Sequence, residues 1–264
     1  MHRKMYRQNE QRRVRNEFNR IGARYARWVT AWRGSFIKDL EGIPLFRDAK
    51  ILDVACGPGT YSIPVSRHAG LVMGLDLAES MLRCARRRSQ QRPAPNLAFV
   101  QGDAGCLPFA SHTFDICLCA FSFAHFLNPK QVIKEMMRVL RTNGRIAIID
   151  VIAPGNPRQQ SLLNRLEKSR ENCYTRIRNA RELVKIFSSL PLECDYYGTE
   201  RRLVSFRQWI SASHLRPGSE DFRRAKRFFD EAAQNQADVP TSPTLAGRCQ
   251  YGYTVVQFLL HKTS

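Results

Sequence analysis

The chain has 264 residues, 43% of them apolar and 25% charged. That excludes wholesale disorder and a disulfide-stapled mini-fold and leaves room for one large domain or two small ones. Lys and Arg number 42 (33 Arg, 9 Lys) against 23 Asp and Glu, a net charge of +19 whose field favours polyanions such as nucleic acid or anionic headgroups and carries no information about fold.

In chain order, Val14, Phe18, Ile21, Tyr25, Trp28, Trp32 and Phe36 recur every three to four residues. That spacing predicts an amphipathic helical region over 1–46 with an arginine-rich outer face. Residues 1–33 hold 10 basic and 2 acidic groups, so +8 of the +19 lies here. Such a basic amphipathic segment suits a lid on a core, and it also suits peripheral contact with an anionic membrane. The segment lacks the apolar core of a secretory leader, and no run approaches the roughly 18 apolar residues of a membrane span. The eight cysteines form no Cys-x-x-Cys pair. Cys117 and Cys119 share a strand face without a His to complete a zinc set, so free thiols in a reducing cytoplasm, and no metal, are expected.

From residue 50 short β-rich runs alternate with helical stretches. The runs are Lys50–Ala55, Leu71–Leu75, Leu97–Gln101, Phe114–Ala120 and Arg145–Val151; helices are expected at about 60–69, 78–91 and 129–141. The alternation means βαβ units and a parallel sheet covered on both faces. Beyond Pro154 the rhythm breaks: helices over 157–189 and 204–234, a strand at 192–197, a loop over 235–248, and a final strand Tyr251–Leu260. The division is a lid at 1–46, an α/β core at 47–153, and a helical cap at 154–264 that includes the last two strands.

Four special segments fall at expected strand ends, where open α/β sheets bind ligands. After the first strand come Asp53-Val54-Ala55-Cys56-Gly57-Pro58-Gly59; Gly57 and Gly59 permit positive φ and close backbone approach, and the next helix offers free N–H groups. Asp76 ends the second strand, placed to accept from a ribose diol. Gly102-Asp103-Ala104 follows the third and Ala120-Phe121-Ser122 the fourth. The first loop is neither a P-loop nor the Gly-x-Gly-x-x-Gly fingerprint. Asp53 as a turn cap, Met81 as core, and Tyr25 as part of a buried stripe are the structural alternatives.

Taken as a set, these segments resemble the class I S-adenosylmethionine-dependent methyltransferases, in their ubiquinone/menaquinone-type (type 11) branch. Ile51–Thr60 resembles motif I, Gly74–Leu82 the ribose segment, and Gly102-Asp103-Ala104 with Leu107-Pro108-Phe109 the adenine segment. Glu135, Arg138-Val139-Leu140-Arg141 and Asn143-Gly144-Arg145 match the E-x-x-R-V-L-K/R-P-G-G pattern, and Phe18–Tyr25 is similar to an N-terminal segment that covers the cofactor. The resemblance implies a Rossmann-like, doubly wound seven-stranded sheet, mostly parallel with an antiparallel last strand, and a helical cap. It implies S-adenosylmethionine as cofactor: Asp53 on its amino group, Ala55, Cys56, Gly57 and Gly59 as backbone contacts, and Asp76 on the ribose. Leu77 and Met81 would lie against the adenine, Gly102, Asp103 and Ala104 at its edge, with Tyr25, Ala120 and Phe121 nearby. His125 and Tyr174 are the candidate catalytic groups. Where one small-molecule subgroup has R-D-P-S-H, this chain has Arg170-Glu171-Asn172-Cys173-Tyr174, and where that subgroup has paired His, it has Ala124-His125. The expected function is methyl transfer to a small apolar or aromatic, quinone-like molecule. RNA methylation, and a catalytically weak cofactor-binding or assembly protein, are the alternatives.

Overall fold

The computed structural model describes residues 2–31, 39–91, 94–171, 173, 176–235 and 250–263. Within residues 2–31 the side chains of 2–8 and of 30–31 lie outside the description, as do Trp32, Phe36, Tyr174 and Cys249 altogether.

Seven strands form one sheet: β1 Lys50–Val54, β2 Leu71–Asp76, β3 Leu97–Gln101, β4 Phe114–Ala120, β5 Leu140–Ile152, β6 Leu192–Ser205 and β7 Gln250–Lys262. Their order is β3-β2-β1-β4-β5-β7-β6. The first five pair in parallel, and β7 runs antiparallel between β5 and β6. The chain winds outward from β1 to β3 and then returns to the other side of β1 as β4. The switch point therefore lies between β1 and β4.

Strand alternation builds two layers. On β5, Ile146 and Ile148 pack with Leu52, Val54 and Phe258 on one face, while Ala147 and Ile149 pack with Ile51, Ile116 and Leu259 on the other. Every one of these side chains is buried, the pattern expected of strands covered on both faces. The helices are α1 His2–Ala31, α2 Ser62–Val65, α3 Glu79–Gln90, α4 Pro129–Val139, α5 Pro157–Arg170, α6 Ala180–Phe187, α7 Phe206–Ile210 and α8 Glu220–Gln234. A third apolar cluster, around Leu166, Trp209 and Phe229, lies among α5, α7 and α8.

The late elements depart from the sequence expectation. The 157–189 stretch divides because Asn179 and Glu182 make a reciprocal capping box that starts α6. The 204–234 stretch divides at Pro217-Gly218, with Ser219 capping α8. Strand β6 runs to Ser205, well past 197, paired with β7 throughout. It is an edge strand with mostly exposed, polar side chains, so hydropathy does not reveal it. Asn143-Gly144, a pair that ordinarily makes turns, lies within β5.

Helix α1 is packed along the sheet's ligand end. Ile21, Ala26 and Val29 are buried, and Arg12, Arg15 and Arg27 are exposed. Its apolar stripe is thus spent on the fold, and the outward face of the described residues is mostly arginine and asparagine. It crosses α3 at Gly22, where a Cβ would lie 2.6 Å from Ser80 Oγ. That hydroxyl donates to Phe18 O at 2.8 Å, and Ser80 N donates to Asn19 Oδ1 at 3.1 Å. Gly22→Val is expected to lift α1 off α3 at an overpacking cost of about 1–3 kcal/mol. Faster amide exchange across 18–29, with β1 and β4 still protected, is the outcome to look for; unchanged exchange contradicts this reading of the crossing.

Candidate active site

A cavity of about 270 Å³ lies under α1 at the carboxyl ends of β1–β5, roofed on its far side by α5 and α7. Its floor is set by loops whose backbone is unusual. Ala55 and Phe121, just past β1 and β4, both adopt positive φ (58° and 52°), as do Gly57 (54°) and Gly59 (71°). For Ala55 and Phe121 this conformation costs on the order of 1–3 kcal/mol each. It turns both chains sharply at the switch point and exposes their backbone to the cavity.

Three carboxylates organise the floor. Asp53 on β1 is buried and accepts from Ser62 Oγ at 2.5 Å; burial pushes its carboxyl up to about 7. Asp76 at the end of β2 accepts from Gly57 N and Ala78 N, each at 2.8 Å, and so ties the first loop to the second. Burial raises it to about 6, against those backbone hydrogen bonds, which act to lower it. Asp103 past β3 accepts from Gly105 N at 2.9 Å and from Gln11 Nε2 of α1 at 2.6 Å. The Glu135–Arg138 pair stands behind this loop: Arg138 donates to Leu107 O and Phe109 O, and Glu135 accepts from Leu107 N at 2.8 Å. Those two motif residues hold the Asp103–Phe109 loop on α4.

Of the residues singled out from sequence, Tyr25, Asp53, Ala55, Cys56, Gly57, Asp76, Leu77, Met81, Gly102, Asp103, Ala104, Ala120, Phe121 and His125 all line the cavity. Gly59 does not; its role is the turn into α2, where Ile63, Phe99 and Ala85 crowd its α-carbon. Tyr174 lies outside the described residues.

Several contributors were not read from sequence. Asp150, at the end of β5, is 4% exposed and accepts from Ser122 N, Phe123 N and Val151 N at 2.7–3.0 Å, fixing the turn after β4. Burial raises its carboxyl to about 6. An acid in the run Ile148-Ile149-Asp150-Val151 was the available signal, since a charge in a buried strand demands partners. Gln11 carried no signal, since only the helix crossing brings it to Asp103.

The cap end of the cavity is apolar apart from Arg202, which pairs with Asp39 and Glu200, and one polar pole. Leu163, Ile177, Val204, Trp209, Tyr251 and Tyr253 form the apolar part. The pole comprises His125, Glu167, Arg170 and Glu171. Arg170 bonds Glu167 at 2.7 Å and Glu171 at 2.8 Å, and Trp209 Nε1 donates to Glu167 at 2.8 Å. His125 packs edge-on to Phe18 at 5.0 Å, and burial lowers its pKa, so the imidazole is neutral at pH 7. The roof is tied down by polar contacts as well: Trp28 Nε1 donates to Gln208 O at 2.8 Å, and buried Glu17 pairs with Arg20 and His214. Among the described residues, no helix is long and apolar enough to cross a membrane.

Known proteins share both the motifs and the fold. The family model for a methyltransferase domain (type 11) matches residues 52–148. An uncharacterized methyltransferase, YcgJ of Bacillus subtilis, is 26% identical over 186 residues, covering 66% of this chain and 74% of that protein. The demethylmenaquinone methyltransferase of Lactococcus lactis is 31% identical over 163 residues, covering 56% of this chain and 62% of that protein. A solved putative methyltransferase from Bacillus halodurans C-125 superposes with a TM-score of 0.74 at 22% identity, covering 88% of this chain and all of that one.

Proposed function

We propose, starting from the fact that this chain is a class I S-adenosylmethionine-dependent methyltransferase of the type 11 group, that its acceptor is a small, largely apolar or aromatic molecule enclosed between α1 and the cap. The single observation carrying this reading is the cavity's lining, which is aliphatic and aromatic at its cap end and lies beneath α1, α5 and α7. The quinone chemistry named for the Lactococcus relative is consistent with that lining.

The residues present fit the cofactor. Asp53 is a buried carboxylate and Asp76 a half-buried one, and their partners are a serine hydroxyl and backbone N–H groups, a placement that favours a ligand bearing positive charge. In this reading Asp53 takes the amino group, with Ala55, Cys56, Gly57 and the Gly59 turn presenting backbone. Asp76 takes the ribose hydroxyls, Leu77 and Met81 the face of the adenine, and Gly102, Asp103 and Ala104 its edge. When bound, S-adenosylmethionine supplies a methyl group on a sulfonium, already a strong electrophile. What remains for the protein is alignment and exclusion of water. Phe18, Tyr25 and Trp28 of α1 close the site, Ala120 and Phe121 bring backbone to the switch point, and Asp150 fixes that backbone. His125 faces the acceptor space with a neutral ring.

The test is methyl transfer from tritiated cofactor to a cell extract fractionated afterwards. Label in the organic-soluble small molecules is the expected result. Label confined to RNA moves the assignment to the exposed arginines, and no label anywhere, with cofactor bound, supports a non-catalytic role.

A further inference from the structure

His125, Glu171 and Cys173 come from two segments far apart in sequence and meet at the polar pole. One ligand-type atom from each, an imidazole nitrogen, a carboxylate oxygen and the thiol sulfur, lie within 4.8 Å of one another. Glu171 and Cys173 are only 3% and 2% exposed. Glu171 Oε2 stands 3.6 Å from His125 Nε2; Cys173 Sγ stands 4.0 Å from the ring's other nitrogen, Nδ1, and only one of the two nitrogens can face a shared ion. The first distance is too long for a hydrogen bond. It is close to the roughly 3.3–3.7 Å between two donors on a four-coordinate zinc with bonds of about 2.0–2.3 Å.

The surroundings are those of a ligand set. The other carboxylate oxygen, Glu171 Oε1, is held by Arg170 at 2.8 Å, and Arg170 is held in turn by Glu167. Metal-binding carboxylates and histidines are oriented by such outer partners. His125 and Glu171 line the cavity.

We propose that His125, Glu171 and Cys173 bind a borderline divalent cation of the zinc class, leaving a fourth position toward the acceptor. Three protein ligands and one open position are the pattern of a reactive rather than a closed structural site. On binding, the Cys173 S–H bond breaks, its proton passes to solvent, and the sulfur bonds the cation; no electron is transferred. The thiolate and carboxylate offset the two positive charges. The imidazole lone pair is then committed to the cation. An acceptor hydroxyl or thiol at the open position is acidified by the metal's charge instead of by a side-chain base.

The experiment uses the full chain, freed of metal and titrated with Co²⁺ and Zn²⁺. One equivalent of Co²⁺ is expected to give a thiolate-to-cobalt charge-transfer band and the intense visible bands of a four-coordinate ion. X-ray absorption of the Zn²⁺ form is expected to show one sulfur neighbour. Cys173→Ser is expected to abolish the band and weaken Zn²⁺ by more than about 100-fold, beyond the usual loss on changing an outer partner. Cys106→Ser, at an exposed thiol, is expected to leave both unchanged. Heat of S-adenosylhomocysteine binding reports separately whether each variant keeps its fold and cofactor site. No thiolate band in the wild type overturns the proposal, as does a band that survives Cys173→Ser. Should that variant fail to fold, His125→Gln and the wild-type sulfur count decide.

Discussion

Asp76→Ala is expected to weaken S-adenosylmethionine binding by about two to three orders of magnitude in titration calorimetry. Two hydrogen bonds to a carboxylate from a ribose diol are worth on the order of 1.5–3 kcal/mol each, and alanine removes both. The variant also strips the acceptor from Gly57 N and Ala78 N, so the two loops that Asp76 joins lose their tie. Asp76→Asn separates the effects, because one amide oxygen still accepts while the charge is gone. It is expected to keep most of the stability and a smaller share of the affinity. A change below about threefold for both variants would remove Asp76 from the cofactor site.

Cofactor binding is expected to tighten as pH rises from about 5.5 to 8, while the ligand-free protein loses stability over the same range. Burial raises Asp53 to about 7 and Asp76 to about 6, from an ordinary aspartate value of 3.8. A folded-state pKa above the unfolded one means that the folded chain holds more protons between about pH 4 and 7. The contribution to stability is therefore fully present below about pH 4 and lost as pH climbs through 6–7. A pKa difference of one between folded and unfolded chain corresponds to about 1.4 kcal/mol, so the loss is on the order of a few kcal/mol. Asp150 adds to it in the same direction. A cationic ligand reverses the balance by favouring the ionised carboxylates. Binding near pH 6.5 should release protons, seen as a calorimetric enthalpy that varies with the buffer's heat of ionisation. The ligand-induced rise in Tm should be larger at pH 8 than at pH 5.5. Equal rises at the two pH values, with no buffer dependence, would contradict the placement of these carboxyls against a cation.

The gathering of the residues assigned to the cofactor was legible because its determinants are local. Asp53, Gly57 and Asp76 each end or follow a short apolar strand, and a parallel sheet brings such ends together without further instruction. The turn chemistry also showed: Gly57 and Gly59 take the positive φ that their type permits, although Ala55 takes it as well, with no side chain to announce it. The cap half was not legible. Strand β6 is polar because only one edge of it is paired, and the breaks at Asn179 and Pro217-Gly218 interrupt what periodicity joins. Gln11 meets Asp103 across 92 positions, and His125 meets Cys173 across 48. Nothing in local spacing predicts such encounters. The basic surplus is divided: Arg12, Arg15 and Arg27 of α1 are exposed, whereas Arg170 and Arg202 line the cavity, each paired with carboxylates.

The pairing of Ser205 with Gln250 has a consequence for how this enzyme can diversify. Everything between those residues, including α7 and α8, leaves and re-enters the sheet at one rung of a ladder that is already closed. Both helices pack with α5 in the third apolar cluster, so the wall contributed by Trp209 is built on an addition to the sheet, apart from the strand ends that bear Asp53 and Asp76. Exchanging residues 206–234 for a relative's is expected to alter the acceptor side of the cavity and to leave S-adenosylmethionine binding in place; loss of that binding would show that the two sides depend on one another.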